Sequence, residues 1–268
     1  MRFGQLAWLL CALLWRPGFA VEVYDDVATP VTLDSPAKRI VTLSPHATEL
    51  AVAAGLQQRL VAISLGSEAP KDLAGLPRIG GAGALDRERL LALQPDLVIA
   101  WASGNRPQDL AWLTRSGIAV YRSEPTSMEQ IALSIVKLGQ LGDTENAAQQ
   151  RAGAFRQAIR TDCRTLSKEA VYVEVWERPA MTVGGKHWLN DALQRAGYRN
   201  TFADQPRGVF VLTDEVRMAS AALPRMSLVR RYDGSEADRL ADRLSVPGPR
   251  LADAVQRLCR QRLGVATP

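Results

Sequence analysis

The amino-acid sequence predicts an α/β fold in which a parallel sheet carries helices on both faces. Residues 39–55, RIVTLSPHATELAVAAG, are typical of a short buried strand followed by a tight turn and a helix. Ser44 can cap this helix, Pro45 suits its first turn, and Gly55 is a common stop signal. Short apolar segments then recur between helical patterns, at 60–64, 97–100 and 118–121. Strands that are apolar throughout indicate a sheet buried on both faces, and their alternation with helices indicates parallel pairing.

Length and composition indicate an ordinary globular protein of one large or two smaller domains. The chain has 268 residues, of which 47% are hydrophobic and 23% are charged. The net charge is +5, but the basic residues are scattered and no basic run marks a nucleic-acid surface. The composition therefore predicts no nucleic-acid partner.

The first twenty residues are typical of a secretory signal peptide. Arg2 supplies the positive start, and the apolar core Leu6–Leu14 is too short to span a bilayer, which needs about 20 residues. We expect cleavage after Ala20 and export of the mature chain. A buried N-terminal helix is the alternative, but Pro17-Gly18 would end it early.

The first half continues with elements that follow from local pattern. Residues 21–38 alternate as in a β-hairpin or edge strand, and residues 66–83, rich in glycine and proline, are predicted to form a loop. Helical patterns fall at 86–93, 106–116 and 128–141. Trp101–Asn105 follows an apolar strand as a loop. Because ligands of open α/β sheets bind at the carboxyl ends of strands, this loop and the turn at Ser44 are candidate binding elements.

The second half is preceded by apolar residues at helical spacing through 143–168. A helix of that length would either join two lobes or pack within one domain, and the residues alone leave both open. An alternating strand at 171–176, a turn at 182–186 and a helix at 188–196 follow. The pattern weakens from Ala221 until a last helix at 250–263, with a possible strand at 227–229.

Three cysteines leave the disulfide question open. Cys11 lies in the predicted signal peptide, so Cys163 and Cys259 remain in the mature chain. These two could pair in an oxidising compartment, although they are far apart in sequence. The chain has no CxxC motif or Cys/His cluster, which argues against a structural zinc site.

Four segments in the same order resemble a known family. They are RIVTLSPHATELAVAAG, RERLLALQPDLVIAWASGN, VWERPAMTVGGKHWLNDALQRAGYRNTF and PRLADAVQRLC. Together they resemble the cobalamin-binding members of the periplasmic substrate-binding proteins of ABC importers, over residues 39–264. The resemblance implies two Rossmann-like α/β lobes joined by a single long α-helix. The lobes would span 21–142 and 169–268, the second shortened, with the helix at 143–168.

The resemblance also implies a carrier without catalytic residues, cofactor or bound metal of its own. We expect a periplasmic monomer that captures cobalamin or a related metal chelate between its lobes and delivers it to an ABC permease. The residues that match the ligand-binding positions are Ser44, Pro45, His46, Gly66, Trp101, Gly104, Trp176 and Met181. Glu88 and Glu215 match two surface glutamates, one on each lobe, that dock onto permease arginines.

Other readings of these residues stay open. Trp101 could be partly buried core, both glutamates could be ordinary surface carboxylates, and His46 could bind a ligand metal, line the cleft or bond locally. The same fold could carry haem or an iron-siderophore, for which Arg106 and two further arginines are candidates, Arg178 and Arg207. The chain's two histidines are too few for a zinc or manganese carrier.

An enzyme is the hypothesis from a different class. The sequence has no nucleophile elbow, P-loop or dinucleotide-binding fingerprint. Ser44 and His46 flank Pro45 and would not readily face each other in a triad.

Departures from the family favour a changed ligand more than a changed fold. The segments 65–70 and 81–83 lack expected aromatic residues, and the chain diverges after Glu215, where a module without chelate binding is a further alternative.

Overall fold

The computed structural model describes residues 20–68, 70–81 and 83–265. The predicted signal peptide, apart from Ala20, lies outside these residues, as does Cys11. Within the described ranges, no helix is long and apolar enough to cross a membrane. We call the part of the chain before the helix at residues 145–158 the first lobe and the part after it the second lobe.

The first lobe is built on a four-stranded parallel sheet, as predicted. Its strands are β3 (Ile40–Thr42), β4 (Leu60–Ala62), β5 (Leu97–Trp101) and β6 (Ala119–Ser123), in the order β4-β3-β5-β6. Its helices are α1 (Pro45–Ala53), α2 (Arg87–Ala92), α3 (Pro107–Arg115) and α4 (Met128–Leu141). An antiparallel hairpin of β1 (Val21–Tyr24) and β2 (Pro30–Leu33) precedes them.

The strand order creates a crevice beside β3. From β3 the chain moves to β4 on one side, and the next strand, β5, pairs on the other side. The connections that leave the carboxyl ends of β3 and β5 therefore diverge, which is where open α/β sheets bind ligands. Ser44 accepts a hydrogen bond from the Ala47 amide as the predicted cap of α1, with Pro45 at its start.

The second lobe contains two smaller sheets. One is parallel, with the order β10 (Tyr198–Asn200), β7 (Glu169–Glu174) and β12 (Arg225–Ser227). The other is antiparallel, with the order β11 (Val209–Val211), β9 (Ala180–Val183) and β8 (Trp176–Glu177). The helices are α6 (Trp188–Arg195), α7 (Asp214–Ala219), α8 (Glu236–Leu244) and α9 (Leu251–Arg262). The sequence predicted α6 and α9, but it missed α8 and placed the strand near residue 226 about two residues late.

The helix between the lobes is shorter than the pattern at 143–168 suggested. α5 spans Glu145–Ala158, 14 residues, or about 21 Å at ~1.5 Å per residue. The extended backbone of Thr161 interrupts the helical run, and a 3₁₀ turn at Asp162–Thr165 follows. The apolar spacing continues past α5 because this turn also buries a side chain, Cys163. α5 packs against α1 and α4 of the first lobe and against α9 of the second.

A disulfide joins this turn to the last helix and answers the open question about the cysteines. Cys163 and Cys259 are bonded, with an S–S distance of 2.00 Å and Cα atoms 5.6 Å apart. The bond spans 96 residues of chain. It therefore links the end of the connection between the lobes to α9, which packs on both α5 and α6.

A partly buried ion pair connects the two lobes directly. Arg250, at the start of α9, donates from Nε to Glu49 Oε1 on α1 at 2.8 Å. Its Nη1 atom lies 2.7 Å from Glu68 Oε2 and 3.1 Å from Asp242 Oδ2. The Glu49 side chain is 10% exposed, and burial raises the pKa of its carboxyl while the bond from Arg250 opposes that rise.

A second contact between the lobes lies at the start of α4. The Met128 amide donates to Asp191 Oδ2 on α6 at 2.9 Å. Asp191 is also held by Arg195 one turn along α6, at 2.8 Å. A carboxylate suits this place because the first amides of a helix have no partner within the helix.

Removing the disulfide should lower stability strongly. We expect Cys163→Ser with Cys259→Ser to reduce the free energy of unfolding by about 3–5 kcal/mol, since the bond restricts a long loop in the unfolded chain. Urea denaturation with and without reductant measures the effect. Reductant should destabilise the wild type and leave the variant unchanged; a wild type insensitive to full reduction would contradict the prediction.

Removing the interlobe cation should leave Glu49 buried without a partner. We expect Arg250→Leu to lower the free energy of unfolding by about 3 kcal/mol, the lower end for a broken buried pair. Arg243→Leu is the matched control, because its partner Asp253 lies 3.9 Å away and is 65% exposed. That variant should lose less than about 1 kcal/mol in the same urea titration. Equal losses in the two variants would show that the pair with Glu49 is not special.

Candidate functional site

The turn after β3 and the loop after β5 are held together by one amide side chain. Asn105 Oδ1 accepts a hydrogen bond from the Trp101 amide at 2.7 Å, and its Nδ2 donates to the Leu43 carbonyl at 3.1 Å. Asn105 is buried, so both bonds lie away from competing water. This side chain fixes the 101–105 loop beside the Ser44 turn. Asn105 lies in one of the segments that resemble the family, but its local sequence does not reveal this role.

Trp101 is held at this place by close packing on two sides. Its indole lies against Gly104, where a Cβ atom would overlap the ring, so only glycine leaves room for it. The His46 ring meets the indole edge-on, with centroids 5.5 Å apart and an angle of 86° between planes. Such edge-to-face contacts are a favoured aromatic geometry. The two neighbours therefore orient a half-buried aromatic surface at the crevice.

His46 is a buried residue that packs between Trp101 and Ser44. It is 2% exposed, and its Nδ1 lies 3.1 Å from Ser44 Oγ. The two side chains therefore do meet across Pro45, and the expectation that they would not face each other is wrong. Its Nε2 is sealed from solvent with no hydrogen-bond partner among the described residues. Burial lowers the pKa of His46 to about 4, so the ring is neutral at pH 7. Neither ring nitrogen is presented to open space, which argues against the reading in which His46 binds a ligand metal.

A cavity of about 570 Å³ opens between the two lobes in front of Trp101. Its walls come from both lobes. The first lobe contributes Trp101, Ser103, Gly104, Glu124, Pro125 and Thr126. The second contributes Val175, Lys186, His187, Trp188, Leu189, Gly208, Val209, Leu228 and Ser245. The volume falls within the range of small-molecule sites, about 300–1,000 Å³.

The second wall is formed by the turn that leads into α6. Gly184 lies directly against the Arg207 carbonyl oxygen, where a Cβ atom would not fit. Asn190 Nδ2 donates to the Gly184 carbonyl at 2.6 Å and so ties α6 back to the turn. His187 caps α6, since its Nδ1 accepts from the Leu189 amide at 3.3 Å. Burial lowers the pKa of His187 to about 3.

The predicted ligand residues are only partly brought together. Trp101 and Gly104 line this cavity, whereas Ser44, Pro45 and His46 lie behind Trp101 and do not. Trp176 and Met181 pair across β8 and β9 and also lie outside the cavity wall, with Trp176 57% exposed. Gly66 has a positive φ of 77° in an exposed turn elsewhere in the first lobe. The other arginine candidates, Arg106, Arg178 and Arg207, are not among the residues that line this cavity.

The predicted docking glutamates are both at the surface. Glu88 lies in the first turn of α2 and Glu215 in the first turn of α7, and both are exposed. Neither makes an ion pair within the described part of the chain. They lie on different lobes, as the resemblance implies.

A larger cavity of about 670 Å³ lies elsewhere between the lobes. It is bordered by α1, α5 and the start of α9, and its lining includes Val52, Phe155 and Arg250. None of the predicted ligand residues lines it. Among the residues the structure describes, no group of three His, Cys, Asp or Glu side chains could hold a metal ion. The cavity in front of Trp101 is therefore the candidate site.

Comparison with known proteins gives a consistent picture. The sequence model of the family described as "Periplasmic binding protein" matches residues 40–222. A "Vitamin B12-binding protein" of Vibrio cholerae serotype O1 (strain ATCC 39541) is 33% identical over 248 residues, which cover 84% of this chain and 88% of that protein. A protein of the same name from Vibrio parahaemolyticus is 37% identical over 174 residues. The match covers 64% of this chain and 63% of that relative, so it spans less than two thirds of the relative's length.

Solved structures show the same fold. The crystal structure of the periplasmic vitamin B12 binding protein BtuF of Vibrio cholerae matches with a TM-score of 0.73 and 30% identity, covering 84% of this chain and 96% of that chain. A periplasmic heme binding protein from Pseudomonas aeruginosa matches with a TM-score of 0.70 and 23% identity, covering 87% of this chain and 95% of that chain. At that identity the second match speaks for the fold alone.

The two buried histidines should make the protein sensitive to mild acid. Their pKa values in the folded chain are about 4 and about 3, against 6.5 for the unperturbed side chain. Below pH 6.5 the unfolded chain therefore binds protons on these histidines, whereas the folded chain does not. As a result, the free energy of unfolding decreases as the pH falls below that value. We expect each histidine to lower the free energy of unfolding by about 2 kcal/mol between pH 7 and pH 5.

Urea denaturation at pH 7, 6 and 5 checks this expectation. The control is His46→Gln with His187→Asn, which removes both histidines of the chain. That variant should be less stable at pH 7 but should show a much flatter pH dependence over this range. A wild type and a variant with parallel pH profiles would contradict the prediction.

Proposed function

This chain belongs to the periplasmic binding protein family, and we propose that it captures cobalamin or a closely related corrinoid in the cleft in front of Trp101. In this proposal the chain binds its ligand and catalyses no reaction. The relative from Vibrio cholerae that is named for vitamin B12 binding covers most of this chain, and it supports the choice of ligand. The structure of BtuF, also a vitamin B12 binding protein of Vibrio cholerae, agrees with that choice.

The fixed position of the Trp101 indole at the cavity is the main observation behind the proposal. A corrinoid is a wide, largely apolar macrocycle with polar amide arms, so an aromatic surface suits its face and hydrogen-bond donors suit its edge. The indole is fixed at the cleft by Gly104 and His46, which means that little freedom is lost when a ligand stacks on it. Ser103, Thr126 and Lys186 supply polar groups to the same cavity.

We further propose that the loaded protein delivers its ligand to an ABC permease. The mature chain would act in the periplasm after cleavage of residues 1–20. Glu88 and Glu215 would dock onto arginines of the permease, one from each lobe. Exposed carboxylates without an internal partner are free to make such pairs, and charge complementarity chiefly speeds and orients docking. The division of the mature chain into lobes at 21–142 and 169–268, joined by one helix, is part of this proposal.

Haem or an iron-siderophore carried by the same fold is the second candidate. The heme binding protein shares this fold, so the fold is compatible with such a ligand. The arginines that would bind siderophore oxygens are absent from the cavity lining, where Lys186 is the basic residue. A corrinoid remains the better match to the cavity.

Replacing Trp101 tests the ligand site. We expect Trp101→Ala to weaken cyanocobalamin binding by about 1–3 kcal/mol, the range for a lost stacking aromatic. Calorimetric titration of the mature protein measures the affinity. The control is Trp112→Ala, since Trp112 lies on α3 under Arg87 and outside the cavity lining. Gly104→Ala should act in the same direction as Trp101→Ala because it displaces the indole. An unchanged affinity in Trp101→Ala would remove this residue from the site.

Reversing the two surface charges tests delivery. We expect Glu88→Arg with Glu215→Arg to retain cyanocobalamin affinity within about twofold and to lose permease binding, because like charges would oppose docking. Uptake of labelled cobalamin in cells, together with binding to the isolated permease, measures the loss. Glu145→Arg is the control for one charge reversal and is compared with Glu88→Arg and Glu215→Arg singly, since Glu145 is an exposed carboxylate at the start of α5. Loss of ligand affinity in the double variant would contradict the assigned role.

A further inference from the structure

His187 occupies an unusual position on the second wall of the cleft. It is 7% exposed, lines the cavity opposite Trp101 and immediately precedes α6. Helix caps of this kind are usually Ser, Thr, Asp or Asn, whose oxygens accept a bond from an early helix amide. Here the imidazole Nδ1 does so, accepting from the Leu189 amide at 3.3 Å. The sequence alone does not single out His187 from the other histidine of the chain.

This bond determines where the ring carries its proton. A nitrogen that accepts a hydrogen bond from a backbone amide must offer its lone pair, so Nδ1 of His187 is unprotonated. A neutral imidazole has one N–H group, which must then be on Nε2. Charging the ring would put a proton on Nδ1 against the Leu189 N–H, and burial already lowers the pKa of His187 to about 3.

The orientation of the ring is also fixed. It stacks on the Trp188 indole with centroids 3.7 Å apart. The Asn190 amide donates to the His187 carbonyl at 3.1 Å, and Asn190 Nδ2 donates to the same oxygen at 3.2 Å. The ring therefore cannot turn without breaking the cap and the stack.

The other ring nitrogen of His187, Nε2, is not needed to hold the ring in place. His187 Nε2 makes no hydrogen bond to any residue that the structure describes. Unlike His46 Nε2, it is not among the polar atoms sealed from solvent. The cavity is the space that this side chain lines, so the N–H group is available to a ligand there.

We propose that His187 presents Nε2–H to the cleft as a fixed hydrogen-bond donor, which recognises an oxygen acceptor on the edge of the ligand and cannot act as a metal ligand. The inference deepens the proposed function and rests on it for the identity of the ligand. An amide carbonyl arm of a corrinoid is an acceptor of the required kind. A chelate that needs an axial imidazole from the second lobe is disfavoured, because the lone pair of this ring is used by the Leu189 amide.

The tautomer can be read without any ligand. Nitrogen NMR of the imidazole rings in the ligand-free mature protein at pH 7 distinguishes Nε2–H from Nδ1–H and from imidazolium. His46→Gln assigns the signals, because the chain has two histidines. We expect the Nε2–H tautomer for His187. The Nδ1–H tautomer or a charged ring would overturn the proposal whatever the protein binds.

Ligand recognition is tested by titration of the wild type and His187→Ser with cyanocobalamin. Serine keeps a helix cap and is too short to reach the cleft, and urea denaturation verifies that the variant is folded. We expect the affinity to fall roughly five- to tenfold, the effect of one hydrogen bond, and the Nε2 proton signal of the wild type to shift on saturation. A merely structural role would not move that proton signal. Equal affinities, or an unshifted proton, would overturn the proposal.

Failure of the proposed function has a different signature. A wild type with the Nε2–H tautomer that ignores cyanocobalamin would refute the corrinoid assignment but not the donor. Haem then serves as the second probe. A low-spin iron spectrum that disappears in His187→Ser would show coordination by this ring and overturn the inference, whereas haem binding without that signature supports it. If neither chelate binds, the tautomer alone decides.

Discussion

The ion pair between Arg250 and Glu49 is the contact on which the arrangement of the two lobes depends. It joins Arg250, the residue just before α9, to Glu49 on α1, and burial leaves the Glu49 carboxylate with little access to water. Separating the lobes here would leave one of the two charges buried without its partner, and an unpaired buried charge costs several kcal/mol. Together with the bond from the Met128 amide to Asp191, it holds α1 and α4 against the second lobe at two places.

The two walls of the cleft in front of Trp101 differ in chemistry. The first wall presents an indole whose position is set by the absence of a side chain at Gly104 and by the neutral ring of His46. The second presents the start of α6, where His187 and Lys186 bring hydrogen-bond donors. An apolar face opposite a polar edge suits a flat macrocycle with amide arms, and this complementarity links the fold to the proposed carrier function.

Much of the first lobe could be predicted because its signals are local. Ser44 and Pro45 mark the start of α1, and continuous apolar runs mark the buried strands. The second lobe was harder for the same reason. α8 has two acidic residues in its first turn and little apolar character, so its amphipathic pattern was overlooked. α5 was predicted too long, because Cys163 continues the apolar spacing in a turn that is not α-helical.

Local sequence patterns predict the α/β alternation and the strand–turn–helix that opens the first lobe. The resemblance to a known family adds the two-lobed fold and points to Trp101 and Gly104 as ligand residues. Caps, apolar spacing and turn residues act over a few positions, and they can be read from the chain. Only the tertiary structure decided that Cys163 bonds to Cys259, that Arg250 reaches Glu49, and that His46 lies behind Trp101. It also decided that His187 faces the cleft. Each of these depends on residues brought together from distant parts of the chain, and the side chain's identity alone does not reveal its neighbours.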